Sequence, residues 1–295
     1  MLDHHPMNTA IYLIAGTAMA VIQWLPLRLV ARLGRTLGGL AFHLTARYRR
    51  VTLENLTLVF SREKTAAEIN EIAREHFRRL GENYLSAIKT AAMTAQQIRP
   101  HLEFTGLENL PVRTAPAIGC NAVVAVGHFG NFELFARLHE VFPAYRTATT
   151  YRALKQPALN RVLQSLREKS DCLFFERRSG GRALRAAMRQ PGIVLGLLAD
   201  QSTAGMRAPF LGHDCNTGLA PAIFALRYEA ELSTAICYRV GLAKWRLDFG
   251  KKIPTHENGL PRESEAIMRE VNLALETAVR RDPANWFWVH RRWKD

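Results

Sequence analysis

The sequence predicts an α/β fold: a mostly parallel central sheet flanked by helices, behind an N-terminal membrane-associated helix and a helical region. Three observations predict it. From residue 6 to 27 there is no charged side chain, a run of 22 residues. Over residues 61–99, apolar residues recur at three- and four-residue spacing, the period of a helix. After Pro100, short apolar runs of strand type alternate with amphipathic stretches, the pattern of βαβ units.

The uncharged run PMNTAIYLIAGTAMAVIQWLPL matches the roughly 20 residues needed to cross a bilayer. Gln23 and Pro26 weaken its end, while Trp24 suits an interface. Asp3, His4 and His5 precede it instead of Lys or Arg, and no small-residue cleavage site follows, so it is not a secretory signal. Arg28, Arg32, Arg35, Arg47, Arg49 and Arg50 come next, which by the positive-inside rule holds the body of the chain on the cytoplasmic side. A membrane-associated helix is expected over 1–30, spanning the bilayer or lying in its surface. A plain core helix is the competing reading.

Residues 31–295 are expected to form one α/β domain, helical over 31–100 and sheet-containing over 101–295. In the helical part Ile69, Ile72, Phe77, Leu80, Tyr84, Leu85 and Ile88 mark an apolar face. Strands are predicted at 122–126, 147–151, 172–175 and 193–198, each followed by a helix, at 133–141, 158–169, 182–189 and 221–228. Residues 233–253 suggest two antiparallel strands around Gly241, and 262–280 a long helix.

Composition narrows the function classes. With 48% hydrophobic and 22% charged residues the chain is a folded globular protein, which excludes wholesale disorder. Lys and Arg number 40 against 26 Asp and Glu, a net charge of +14 that calls for nucleic acid or an anionic membrane as partner. The basic residues are 32 Arg and 8 Lys. Arg forks suit phosphates and carboxylates, although GC-rich coding gives the same bias. Cys120, Cys172, Cys215 and Cys237 lie far apart, with no His at ligand spacing. That pattern argues against a disulfide scaffold and against any metal site, and fits a reducing compartment.

The segment richest in chemistry is Gly127-His128-Phe129-Gly130-Asn131-Phe132-Glu133. It places His128 at the carboxyl end of a buried strand, where open α/β sheets hold their ligands. Asn131 is a good helix N-cap, and Glu133 would fall in the first turn beyond it. Its carboxylate could reach back to the imidazole, fix the tautomer and stabilise the imidazolium. No Ser, Cys or Thr adjoins the pair, so a substrate hydroxyl would be the nucleophile. In the bland reading His128 is a strand-end residue satisfied by backbone, and Glu133 merely favours a helix N-terminus.

GHFGNFE resembles the H-x4-D/E motif of the glycerolipid acyltransferase superfamily. More narrowly, the chain resembles the bacterial lipid A lauroyl/myristoyl acyltransferase family. Arg49-Arg50-Val51-Thr52-Leu53-Glu54-Asn55-Leu56, Tyr151-Arg152 with Pro157, and Ala199-Asp200-Gln201 also match that family, in the same order. So do Ala208-Pro209-Phe210-Leu211-Gly212 with Thr217 and Gly218, and the ending WFWVHRRWK from Trp286 to Lys294. Only the H-x4-D/E motif is superfamily-wide. Glu133 stands where many superfamily members have Asp.

The resemblance implies transfer of a fatty acyl group from an acyl-carrier-protein thioester, or acyl-CoA, to a hydroxyl of a membrane lipid, either a lipid A precursor or a related lipid. It implies no cofactor beyond that co-substrate. His128 would be the general base with Glu133 orienting it, and the N–H groups around Gly130 and Asn131 would meet the oxyanion, aided by Arg152. Asp200 is a second partner for the imidazole, a substrate-binding carboxylate, or a loop cap. Gln201 is a weaker substrate contact. Arg152 and Arg207 would meet lipid phosphates or are plain surface arginines. The implied place is the inner membrane, with the catalytic domain on its cytoplasmic side and no nucleic acid bound. The rival from another class is a basic protein that binds membranes or nucleic acid, with His128 structural.

Two further stretches stay open. Arg177, Arg178, Arg182 and Arg185 form a basic helix start, which is solvated or receives the acidic carrier protein. Trp286, Trp288 and Trp293 with Arg291, Arg292 and Lys294 form an interface belt, or else pack on the core with their charges outside.

Overall fold

The computed structural model describes residues 6–110, 121–141 and 146–294. Asp3, His4, His5 and Cys120 lie outside the described residues. Four helices come first: α1 (Pro6–Trp24), α2 (Leu27–Leu44), α3 (Ala46–Phe60) and α4 (Ala66–Thr90). Thr65 starts α4 with a capping box, its hydroxyl accepting from the Glu68 N–H while Glu68 accepts from the Thr65 N–H. Helices α2 and α4 meet backbone to backbone. A Cβ at Gly38 would collide with the Phe77 carbonyl, and one at Gly81 with the Gly34 carbonyl. The buried carboxylate of Glu82 then ties these helices to the sheet. It accepts from Arg35 at 3.3 Å, from Arg239 at 2.7 Å and from the Ala243 N–H at 2.9 Å.

Helix α5 (Ala95–Ile98) leads into β1 (Leu102–Thr105). The remaining strands are β2 (Ala122–Val126), β3 (Arg146–Tyr151), β4 (Leu173–Glu176), β5 (Ile193–Leu198), β6 (Met206–Phe210), β7 (His213–Thr217), β8 (Glu231–Gly241), β9 (Lys244–Phe249), β10 (His256–Glu257) and β11 (Leu260–Pro261). Seven form the main sheet in the order β1-β9-β8-β2-β5-β3-β4. Its five strands from β8 to β4 run parallel, whereas the β8–β9 hairpin turns β9 and β1 the other way. Strand β2 is buried at every residue because both faces are covered. Val123, Ala125, Leu195 and Leu197 enter one apolar cluster, and Val124, Val126 and Val194 the other. Helices α6 (Leu138–Val141), α7 (Pro157–Arg167), α8 (Gly181–Ala187), α9 (Ala220–Arg227) and α10 (Ser264–Arg281) complete the layers.

The structure departs from the sequence reading in four places. The helix predicted over 133–141 is a 3₁₀ segment, Phe132–Arg137, followed by the short α6. The Arg137 guanidinium fixes that tight turn by donating to the carbonyls of Thr90, at 2.7 Å, and Met93. Strand β1 and the β6–β7 hairpin were not predicted. The hairpin turns through Leu211 (φ 52°) and Gly212 (φ 82°), both left-handed as a type I′ turn requires. No described helix is long and apolar enough to cross a membrane. Instead α1 packs along α7 and α4: Gln156 donates to Asn8 at 3.0 Å, Gln23 donates to the Ile88 carbonyl at 3.3 Å, and Lys169 donates to Gln23 at 3.2 Å. Last, the C-terminal aromatics pack on the core, one of the two readings left open for them, but not with all their charges outside. Trp286 and Trp288 are fully buried, and Asn55 on α3 pins their segment by donating to the Trp288 and His290 carbonyls, each at 2.8 Å. Arg292 is buried too, against the expectation of outward charges. It bonds the Asn216 carbonyl and the Thr217 hydroxyl and lies over the Phe210 ring.

Candidate active site

The parallel register of β2 and β5 pairs Val126 with Leu198. Two residues beyond each, His128 and Asp200 therefore meet at the carboxyl edge of the sheet. Asp200 accepts from the ring Nδ1 of His128 at 2.6 Å and from the His128 main-chain N–H at 2.7 Å. A third donor, the Trp286 indole N–H, reaches it at 2.8 Å. A carboxylate only accepts, so Nδ1 carries the proton and Nε2 keeps its lone pair. The Gln201 amide lies 3.4 Å from that Nε2.

Asp200 is fully buried. Burial alone would raise its pKa, but the electrostatic pull of the adjoining His128 and the hydrogen bonds from His128 and Trp286 outweigh it and hold the carboxyl below its ordinary range. The imidazole is walled by Phe132, edge-on at 5.0 Å between ring centres, and by Phe287 at 5.7 Å. An antiparallel bridge between Phe129 and Trp286 seats the C-terminal segment against the motif. Nearby, His290 Nε2 accepts from the Ser202 N–H at 3.1 Å. Burial lowers the His290 pKa, with His128 adding to the shift and Asp200 opposing it.

Glu133 is not the partner of Nδ1. Among the described residues no hydrogen bond joins it to His128, and its carboxylate instead lies 3.7 Å from the Arg167 guanidinium. The short 3₁₀ turn aims Glu133 into the cavity beside His128 rather than back at the ring. The main-chain donor expected at Gly130 is also engaged. The Gly130 N–H donates to the Asn285 carbonyl at 3.2 Å. Gly130 has φ 53°, and a Cβ there would strike the Cys237 carbonyl, so glycine is required at this close approach. Arg152 and Arg207 are exposed and line no part of the cavity.

His128 opens onto a cavity of about 430 Å³. That size falls within the roughly 300–1,000 Å³ typical of small-molecule sites. Its walls are apolar side chains of α4 (Tyr84, Ala87, Ile88) and α7 (Leu159, Val162, Leu163, Leu166), with Glu133 and Arg167 also lining it. Sequence reasoning missed Arg167. It is stacked on Tyr151 at 4.8 Å and Phe174 at 5.2 Å, and its Nε and Nη1 have no hydrogen-bond partner. A last-turn arginine on an amphipathic helix gives no signal of this in sequence. Trp286 was missed as the indole that fixes Asp200, because its partner lies 86 residues away.

The family profile described as bacterial lipid A biosynthesis acyltransferase matches residues 3–295. Two relatives are similar over most of their length. One is the lipid A biosynthesis palmitoleoyltransferase of Escherichia coli (strain K12), 22% identical over 273 residues that cover 92% of this chain and 86% of the relative. The other is a lipid A biosynthesis acyltransferase of Shigella flexneri, with the same identity and coverage. A buried carboxylate–histidine pair at the end of a parallel sheet, facing an apolar cavity, suits acyl transfer to a hydroxyl. With the profile matching nearly end to end, the chain belongs to the bacterial lipid A biosynthesis acyltransferase family.

Proposed function

We propose that this acyltransferase moves a fatty acyl group from an acyl-carrier-protein thioester to a hydroxyl of a lipid A precursor or related lipid, on the cytoplasmic side of the inner membrane. The observation that carries the reading is the tautomer held by Asp200, which leaves His128 Nε2 as a base at the mouth of an apolar cavity. In the proposed reaction the acyl chain lies between α4 and α7. His128 Nε2 takes the proton of the acceptor hydroxyl as its oxygen attacks the thioester carbonyl. The tetrahedral oxyanion forms within reach of the Arg167 guanidinium, which Glu133 holds toward the cavity. Collapse breaks the C–S bond, and the imidazolium returns its proton to the departing sulfur. Asp200 stabilises the imidazolium throughout. Gly130 and Asn131 serve as cavity wall, and Gln201 as a contact for the acceptor hydroxyl.

The test is acyl transfer by purified protein from labelled acyl carrier protein to a panel of lipid acceptors. His128→Ala, folded by circular dichroism, should lose at least three decades of rate. A His128→Ala variant with near-normal transfer would overturn the mechanism. Transfer from acyl-CoA but never from the carrier protein would overturn the choice of donor.

A further inference from the structure

Helix α2 carries a second surface, facing away from α4. Its inner side, with Val30, Ala31, Gly34, Gly38 and Phe42, is buried. On its outer side Leu29, Leu33, Leu37, Leu40 and Leu44 are all exposed, Leu44 by 81%. At 100° per residue these five leucines occupy about 80° of the helix circumference. Arg28 and Arg32 flank the stripe, and Arg47 and Arg50 are exposed at the start of α3. A water-facing helix carries polar residues on its outer side, so a leucine stripe of about 22 Å is built for a non-aqueous neighbour.

Charge decides which neighbour. A second copy seated on the stripe by a two-fold axis would bring the same flanking arginines against each other. Anionic lipid phosphates would instead match those arginines, and the whole chain carries +14. We propose that α2 lies flat in an anionic lipid leaflet, leucine stripe down and arginines among the phosphates. This goes beyond acyl transfer and does not depend on it.

The experiment is co-sedimentation of the full chain with vesicles of phosphatidylethanolamine and phosphatidylglycerol, and with phosphatidylcholine alone. Leu37→Asn/Leu40→Asn should bind the anionic vesicles at least tenfold more weakly. Leu273→Asn, at a 63% exposed site on α10, should bind like the wild type. Arg28→Gln/Arg32→Gln should lose binding to anionic vesicles and leave the weak binding to phosphatidylcholine unchanged. Wild-type binding by the stripe variant would overturn the proposal. So would finding that only Leu13→Asn/Ile14→Asn releases the protein, or that the stripe variant merely dissociates a dimer. Stripe variants should keep acyl transfer to detergent-dispersed acceptor, while His128→Ala should keep vesicle binding. Failure of either reading is therefore seen separately.

Discussion

Replacing Asp200 with Asn changes one atom and should invert the histidine. The carboxylate serves three donors with two oxygens: one meets the Nδ1–H at 2.6 Å, the other meets the His128 N–H at 2.7 Å and the Trp286 indole at 2.8 Å. An amide has one acceptor oxygen, and it belongs where two donors converge. The amide N–H₂ then faces Nδ1, and the ring relieves the clash by moving its proton to Nε2. The nitrogen that should accept the substrate proton is now occupied, and the anion that stabilised the imidazolium is gone. A wrong-tautomer substitution of this kind in a serine-protease triad costs about 10⁴ in rate. We expect a loss of three to four decades in kcat/KM, roughly 4–5.5 kcal/mol of transition-state stabilisation. The assay pairs single-turnover acyl transfer with the ¹⁵N shifts of the His128 ring, on protein shown to be folded by its thermal melt. A rate within tenfold of wild type, or a lost rate with Nε2 still unprotonated, would refute the reasoning.

The pair of Glu133 and Arg167 should act as a unit: Arg167→Ala lowers kcat by about 10²–10³. Glu133→Gln/Arg167→Ala should be no worse than Arg167→Ala, as a double-mutant cycle will show. Narrowing the cavity with Leu163→Trp should shift donor preference to shorter acyl chains by about 1–3 kcal/mol in relative kcat/KM across a chain-length series. Burial pushes the His76 pKa down from 6.5 to about 4, with Arg79 adding to the shift and a bond to the Ala284 carbonyl opposing it. The unfolded histidine then binds a proton that the folded one refuses between those values, so stability falls as pH drops through that window. Urea midpoints should show a pH 7-to-4 loss larger in wild type than in His76→Gln, by about 3 kcal/mol. Gly38→Val should destabilise by roughly 1–3 kcal/mol or more in the same assay, since its side chain meets the Phe77 carbonyl.

Strands β2 and β5 were legible because each is a short, largely buried apolar run, and β3 and β4 because an amphipathic helix follows each. Strand β1 was not. Leu102-Glu103-Phe104-Thr105 is four residues with one buried side chain, which no pattern distinguishes from a loop. His128 was legible from the strand that ends beside it. Its partner was not decided by spacing. Glu133 stands five residues away in sequence, yet Asp200, 72 residues away, holds the ring because β5 is the neighbour of β2. Sheet order is a property of the whole chain, and local reading favoured the local carboxylate. The oxyanion donor at Gly130 failed for a related reason. Its N–H, free in an isolated turn, is already claimed once Asn285 packs against it.

The seating of Trp286 on Asp200 has a consequence for the enzyme's birth. His128 leaves the ribosome long before residues 286–293 are made, and domains form from the N-terminus onward during synthesis. Until the late indole arrives, Asp200 lacks one of its three donors and Phe129 lacks its bridging strand. The carboxylate that orients His128 would therefore gain its third donor only when translation is essentially finished.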